Sequence, residues 1–171
     1  TTAGNAPSAP TGFSVLPAKT SVTIGWTQAE VVGGSPVRNY EVQYSTDGGS
    51  TWKNASPVAT SCPVVITKTS ASGNNNLVNG TAYSVQLRAY YSTNGAASNT
   101  VVATPAGAPS APTALSATSG DGSASVACTL GSANGSALTN IEYSTDGGTS
   151  WVTPRTAITA CPVAISGLSN G

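Results

Sequence analysis

Apolar and polar residues alternate along short segments of this chain, and turn-forming residues separate the segments. The alternation is clearest at Val22, Ile24 and Trp26, and it returns at Tyr40 and Tyr44. Alternation of this kind, rich in β-branched and aromatic residues, predicts half-buried β-strands. The predicted strands of the first part of the chain cover residues 13–16, 22–26, 38–44, a short stretch near 52, 64–67, 82–90 and 99–104. Because no stretch keeps a helical period, the chain is predicted to be all-β.

One hairpin sequence occurs twice. Tyr44-Ser-Thr-Asp-Gly-Gly-Ser-Thr-Trp52 recurs as Tyr143-Ser-Thr-Asp-Gly-Gly-Thr-Ser-Trp151. The Asp-Gly step supplies the positive φ that tight hairpin turns require, and the flanking hydroxyls can bond the turn backbone. The structural turn residues are therefore Asp47, Gly48, Gly49, Asp146, Gly147 and Gly148. Recurrence after about 100 residues indicates two copies of one small β domain.

A second repeated segment marks the domain boundaries, since Ala6-Pro-Ser-Ala-Pro-Thr11 recurs as Ala108-Pro-Ser-Ala-Pro-Thr113. The predicted plan is a linker at residues 1–6, a first domain at 7–105, a Pro-rich linker at 106–112 and a second domain at 113–171. Proline stiffens linkers toward extended geometry, so we expect the copies to stand end to end.

The segment Leu77-Val-Asn-Gly80-Thr-Ala-Tyr83, together with Pro10 and Trp26, resembles the fibronectin type III domain. The resemblance implies a β-sandwich in which Leu77, Gly80 and Tyr83 form a tyrosine corner, whose hydroxyl bonds upstream backbone. It is closest to the Ser/Thr/Ala-rich arrays of bacterial surface proteins, secreted enzymes and phage virion proteins. Such domains serve as scaffolds or binding modules, although a fold alone never fixes function.

The second copy stops early, because Leu168–Gly171 corresponds to Leu77–Gly80 and no counterpart of Thr81–Pro105 follows. The second sandwich is therefore predicted to lack strands F and G, and to expose apolar surface and open strand edges. Two explanations compete. The favoured one is that the chain continues in a longer array; the other is that a neighbouring subunit donates the missing strands.

Three cysteines occupy related positions. Cys62 and Cys161 are equivalent, and Cys128 stands where the first copy has Trp26. If Ala124 faces Ile165 across two antiparallel strands, Cys128 falls opposite Cys161. A disulfide between them is predicted, and two buried thiols are the alternative. The same register places Cys62 opposite Trp26 as an inert core thiol, with an intermolecular bridge as the minority reading.

The hairpin also resembles the Asp-box of sialidases, through Ser45-x-Asp47-x-Gly49-x-Thr51-Trp52. In that family the box is structural, and this chain is too short for the blades and arginine cluster of a sialidase. With no His, catalytic Ser-His-Asp and Cys-His arrangements are impossible. The acidic residues are scattered, so neither a carboxylate pair nor a metal or cofactor site is predicted. The chain is therefore predicted not to be an enzyme.

Aromatic residues suggest one contact surface. Trp52, Tyr90 and Tyr91 could form an exposed platform for weak carbohydrate contact. The favoured alternative has Trp52 covering the hairpin, with one tyrosine in the core and the other facing solvent.

The composition of the chain further limits the classes of binding partner that are expected. Charged residues make up 7% of the chain, with six acidic and six basic. A neutral surface gives no footprint for nucleic acid, and no apolar run approaches a membrane span, so neither contact is expected. The predicted function is a non-catalytic extracellular structural or adhesive module of a bacterial surface or filament assembly, whose partners are copies of itself or further repeats. The alternatives are a phage virion protein, as capsid decoration or tail appendage, and an accessory module of a polysaccharide-degrading enzyme.

Overall fold

The computed structural model of the chain describes residues 6–29, 37–70, 75–91 and 93–170. Most of the predicted N-terminal linker therefore lies outside the described residues. The chain divides into two compact units, Thr1–Gly107 and Ala108–Gly171. All regular elements of the described residues are β-strands, so the all-β prediction is confirmed.

The first unit contains eight strands in its described residues: β1 (Thr11–Ala18), β2 (Ser21–Thr27), β3 (Asn39–Ser45), β4 (Lys53–Asn54), β5 (Val64–Ile66), β6 (Tyr83–Tyr90), β7 (Asn94–Ala97) and β8 (Val101–Ala103). One sheet has the order β1-β2-β5. The other has the order β4-β3-β6-β7, and β8 also pairs with β6. All the pairings are antiparallel.

The core of the first unit lies between these two sheets. Val22, Ile24 and Trp26 alternate onto the inner face of β2, as predicted, and all three are buried. Leu87 on β6 is fully buried against them in the same cluster. Alternate side chains of a strand point to opposite faces, so each sheet contributes every second residue to the core.

The predicted last strand, 99–104, corresponds to β8, and it is preceded by a further short strand, β7, that was not predicted. Ser98 lies between them and interrupts the ladder: its hydroxyl accepts from the Leu87 amide at 2.9 Å and donates to the Asn99 carbonyl at 2.8 Å. A side chain that bonds nearby backbone competes with regular strand pairing. The sequence pattern alone did not reveal this interruption.

The second unit has a single three-stranded sheet in its described residues, formed by β9 (Thr113–Gly120), β10 (Ser123–Thr129) and β11 (Val163–Ser166). Its order is β9-β10-β11, the same arrangement as β1-β2-β5. Ala124 pairs with Ile165 and Val126 with Val163, which is the register assumed from the sequence. The counterpart of β3 forms only the isolated bridge between Tyr143 and Val152.

Part of the predicted Pro-rich linker is bound to the second unit. The Ser110 amide donates to the Ser132 carbonyl at 2.8 Å, and the Asn134 side-chain amide donates to the Ala108 carbonyl at 2.9 Å. A β-carbon on Gly131 would lie 2.3 Å from the Ser110 carbonyl oxygen, so only glycine permits this close approach. Residues 108–110 are thus an integral strap of that unit.

Candidate functional site

The repeated hairpin is held by a carboxylate that accepts hydrogen bonds from its own turn. Ser45 Oγ donates to Asp47 Oδ1 at 2.5 Å and accepts from the Gly49 amide at 2.8 Å. The Thr51 amide donates to Asp47 Oδ1 at 2.9 Å, and Thr51 Oγ1 donates to Oδ2 at 2.6 Å. Gly48 and Gly49 have φ of 71° and 96°, which favours glycine at both positions. We call residues Ser45–Thr51 the first Asp turn.

The second Asp turn, residues Ser144–Ser150, repeats this network almost bond for bond. Ser144 Oγ donates to Asp146 Oδ1 at 2.7 Å, and Ser150 replaces Thr51 as the donor to both carboxylate oxygens. Ser150, followed by Ser144, lowers the pKa of Asp146 from 3.8 to about 2. Ser45 and then Thr51 likewise hold the pKa of Asp47 below its ordinary range. Since hydrogen bonds to the charged form favour that form, these carboxylates act as turn anchors.

The tyrosine-corner residues come together at the start of β6. Tyr83 is buried, and its hydroxyl accepts a hydrogen bond from the Val78 amide at 3.1 Å. Gly80 has φ of 80°, and its amide donates to the Pro105 carbonyl at 2.8 Å. Leu77 is buried in the core cluster beside them. This arrangement fixes where the chain turns from the loop after β5 into β6.

An asparagine latch, which the sequence reasoning missed, lies next to this corner. Asn79 Oδ1 accepts from the Thr20 amide at 2.7 Å, joining the loop before β6 to the β1–β2 turn. In the second unit, Asn170 Oδ1 accepts from the Gly122 amide at 2.9 Å in the equivalent place. Asn79 begins a glycosylation sequon, but its side chain serves this latch. An asparagine stands at this place in both copies, and that repetition is the sequence signal that could have identified the latch.

Cys128 and Cys161 form a disulfide, as predicted, with their Cα atoms 5.6 Å apart. The bridge continues the β10–β11 register beyond the Val126–Val163 pair, on the same face of the sheet. A Cα separation of this size is in the normal range for disulfides. The cystine therefore joins β10 to the segment just before β11, at the end where the ladder stops.

The prediction that Cys62 is a core thiol is wrong, because the residue is exposed. It does lie opposite Trp26, as expected. Its Sγ accepts from the Trp26 amide at 3.2 Å and donates to the Trp26 carbonyl at 3.1 Å. The β2–β5 ladder ends at the Ile24–Val64 pair, so β5 begins only after Cys62 and leaves it at the sheet margin. The alternation of side chains along the strands predicted correctly that Cys62 lies opposite Trp26, but it could not predict how deeply Cys62 is buried.

These features occur in a chain whose residues 8–104 match the model of the fibronectin type III domain. The chain belongs to the fibronectin type III family. Domains of this family are generally non-catalytic structural or adhesive modules. No curated protein matches the chain.

Several solved structures share similarity with this fibronectin type III chain. Titin kinase with its flanking domains is 16% identical, with 74% of this chain and 28% of that one covered and a TM-score of 0.49. The FN1–FN3 domains of chicken CNTN1 are 15% identical, with 93% and 52% covered and a TM-score of 0.44. A crystal structure of titin domains is 20% identical, with 57% and 32% covered and a TM-score of 0.43. The chain thus spans from under a third to about half the length of these proteins.

The three aromatic residues of the suggested platform are not brought together in the first fibronectin domain. Tyr90 pairs with Asn39 at one end of β3, whereas Lys53, next to Trp52, pairs with Tyr44 at the other end. The rise of a strand separates these ends by roughly 17 Å.

The alternative placement of these aromatic residues is right in part. The Trp52 ring lies 3.4 Å from where a β-carbon on Gly49 would be, so it does cover the hairpin. The prediction that one tyrosine is in the core and the other in solvent is wrong, because Tyr90 and Tyr91 are both half-buried. The Arg38 guanidinium carbon lies 6.0 Å from the centroid of the Tyr91 ring, which is the outer limit of a cation–π contact.

The residues that the structure describes contain no group of three or more His, Cys, Asp or Glu side chains that could hold a metal ion. No helix long and apolar enough to cross a membrane is found among them.

Proposed function

We propose that this chain is a structural or adhesive module of a bacterial surface or filament assembly, working outside the cell. The observation that carries the proposal is that the repeated motifs all have a structural role. The Asp turns, the asparagine latch and the sheet register recur in both copies, and each of them holds backbone in place. A chain that repeats its scaffolding residues is suited to spacing and presenting surfaces.

The surface chemistry supports a role in contact with neighbours of the same kind. Six acidic and six basic residues over 171 positions leave little charge to repel an adjacent copy. Long-range electrostatic steering needs clustered charge of one sign, which this composition does not supply. Contacts would therefore depend on shape and on uncharged polar groups.

The cystine supports an extracellular location. Disulfides persist in oxidising compartments and are rare in the reducing cytosol. The Cys128–Cys161 bridge lies in the unit with fewer buried side chains, where a covalent link contributes most.

Localisation on intact particles tests the proposal directly. Antibodies raised against the purified chain would be used for immunogold imaging of unfixed source bacteria and of any phage that they release. Label along the cell surface or on filaments is the expected result. A regular lattice of label on capsids or tails would instead assign the chain to a virion. Co-purification with a catalytic polypeptide would indicate an enzyme accessory module, and purely cytoplasmic label would contradict all three.

A further inference from the structure

One Asn-Gly step of the chain lies in a tight turn after β10. Asn134 and Gly135 are the central residues of this turn, which the Ser136 amide closes by donating to the Ala133 carbonyl at 2.9 Å. Their φ values are 49° and 79°, so both residues lie in the left-handed region. Asn followed by Gly is the pair that turns with two positive φ values prefer. The turn therefore accounts for the backbone of this pair and leaves the asparagine side chain to bond elsewhere.

The side-chain amide of Asn134 binds the strap formed by residues 108–110. Its Nδ2 donates to the Ala108 carbonyl at 2.9 Å and to Ser110 Oγ at 3.1 Å. The Ser110 amide also donates to the Ser132 carbonyl at 2.8 Å, which ties the strap to the start of the turn. Both side-chain contacts use the nitrogen of one amide group, so the strap and the Asn134 side chain hold each other in position.

An Asn-Gly step is also a reactive sequence in water. The backbone nitrogen of the glycine attacks the asparagine Cγ, the side-chain nitrogen leaves as ammonia, and a five-membered succinimide ring forms. Water then opens either carbonyl of the ring, which gives aspartate or isoaspartate. Glycine favours this attack because it has no side chain to obstruct it. One water molecule is consumed and one ammonia is released, so the reaction needs no oxidant and no other reactant.

The structure distinguishes this step from the other Asn-Gly steps of the chain. Four asparagines precede a glycine: Asn79, Asn94, Asn134 and Asn170. The last step includes Gly171, which lies outside the described residues. The Gly80 amide donates to the Pro105 carbonyl at 2.8 Å, so that attacking nitrogen is already bonded. Gly95 is buried within β7. Gly135 is exposed, and across the described part of the chain its amide has no hydrogen-bond partner. The contacts with the strap are therefore the main restraint on reaction at this turn.

We propose that Asn134 is a site of spontaneous hydrolytic deamidation, with a rate that the strap controls and a product that releases the strap. Its Cγ must move toward the Gly135 nitrogen to cyclise, and this movement takes the amide group away from the Ala108 carbonyl. The aspartate product has only acceptor oxygens, so it cannot bond that carbonyl again. The Ser110 hydroxyl can rotate to donate to the new carboxylate, which leaves the Ala108 end of the strap unbound. Isoaspartate also lengthens the backbone of the turn by one carbon. The turn is thus a one-way latch that opens with the age of the protein.

Peptide mapping of the full chain during prolonged incubation at mildly alkaline pH provides the first test. Mass spectrometry follows the gain of one mass unit at each asparagine, and chromatography separates the aspartate and isoaspartate products. A free peptide with the sequence of residues 131–137 is the reference without a strap. Asn134 should react faster than Asn79 and Asn94 in the protein, and more slowly than in the peptide. A rate no higher than at those two asparagines, or equal to that of the peptide, would overturn the proposal.

A serine variant tests whether the strap controls the rate. Ser110→Ala removes one of the two acceptors of the Asn134 amide and should speed deamidation roughly fivefold, the effect of losing one ordinary hydrogen bond. Ser116→Ala changes an exposed serine of β9 and is the matched control, so it should leave the rate unchanged. An unchanged rate in Ser110→Ala, or an equal increase in both variants, would contradict control by the strap.

An asparagine variant tests whether the product releases the strap. Asn134→Asp supplies the aspartate product directly, and hydrogen exchange of the Ser110 amide should then be several times faster than in the parent chain. Exchange within β9, β10 and β11 should stay the same, which shows that the sheet is still folded. A Ser110 amide that keeps its parent exchange rate while the sheet is intact would refute the release.

Discussion

At the scale of single residues, the Asp turns show how an exposed carboxylate can be strictly structural. Asp146 accepts from two hydroxyls and one amide of its own turn, all of which favour its charged form. Both oxygens are already bonded within the turn. The pKa shift here marks a scaffold, although shifted carboxylates are often read as catalytic.

Ser150→Ala is expected to raise the pKa of Asp146 from about 2 toward 3.8, because Ser150 supplies its largest stabilising bond. The lowered pKa also fixes the sign of the pH effect: the contribution of Asp146 to stability is full above 3.8 and is lost as pH falls toward 2. Carboxyl-carbon NMR titration measures the midpoint directly. Asp47, which has its own donors, is the internal control. An unchanged Asp146 midpoint in Ser150→Ala would refute the assignment.

The Cys128–Cys161 disulfide also acts at the scale of single residues. Removing it with Cys128→Ala and Cys161→Ala should lower the free energy of unfolding of the second unit by roughly 3–4 kcal/mol, from the loop that it closes. The sequence separation of the two cysteines is 33 residues. Val163 and Ile165 are the only buried hydrophobic side chains among its described residues, so the reduced unit should be largely unfolded.

Denaturant unfolding monitored by NMR, which follows each unit separately, provides the measurement. Cys62→Ala is the matched control, since it removes a thiol without touching the bridge, and it should leave the second unit unchanged. Retention of the native midpoint by the double variant would show that packing alone holds the unit.

At the scale of elements, the corner before β6 joins a buried hydroxyl to a loop. Tyr83→Phe keeps the ring in the core but removes the acceptor for the Val78 amide. The expected loss of stability in the first unit is about 1 kcal/mol, the usual worth of one such bond. Thermal or urea unfolding of the full chain measures it. Tyr91→Phe removes a hydroxyl outside the corner and should have a smaller effect; an equal effect of the two variants would argue against the corner bond.

The elements also show what sequence can and cannot predict. Alternation located β2, β3 and β6 closely, because burial on one face imposes a period of two residues. The strand β7 was not predicted, and its separation from β8 depends on one hydroxyl, that of Ser98, which accepts from the Leu87 amide. The cystine followed from register, whereas the exposure of Cys62 depends on where β5 begins. The periodicity of a strand predicts which residues pair across the sheet and which face is buried. Local hydrogen bonds determine where each strand ends.

At the scale of the whole molecule, the two copies hold their folds differently. Every member of the buried core cluster of the first unit lies between Phe13 and Ala103, so that unit closes its own core. A domain with its own core can fold alone. The fragment 6–107 should therefore unfold cooperatively at the same midpoint as the first unit of the full chain, with or without reductant, since its one cysteine is unbridged. Calorimetry of fragment and full chain makes the comparison, and a clearly lower fragment midpoint would mean that the second unit contributes to the first.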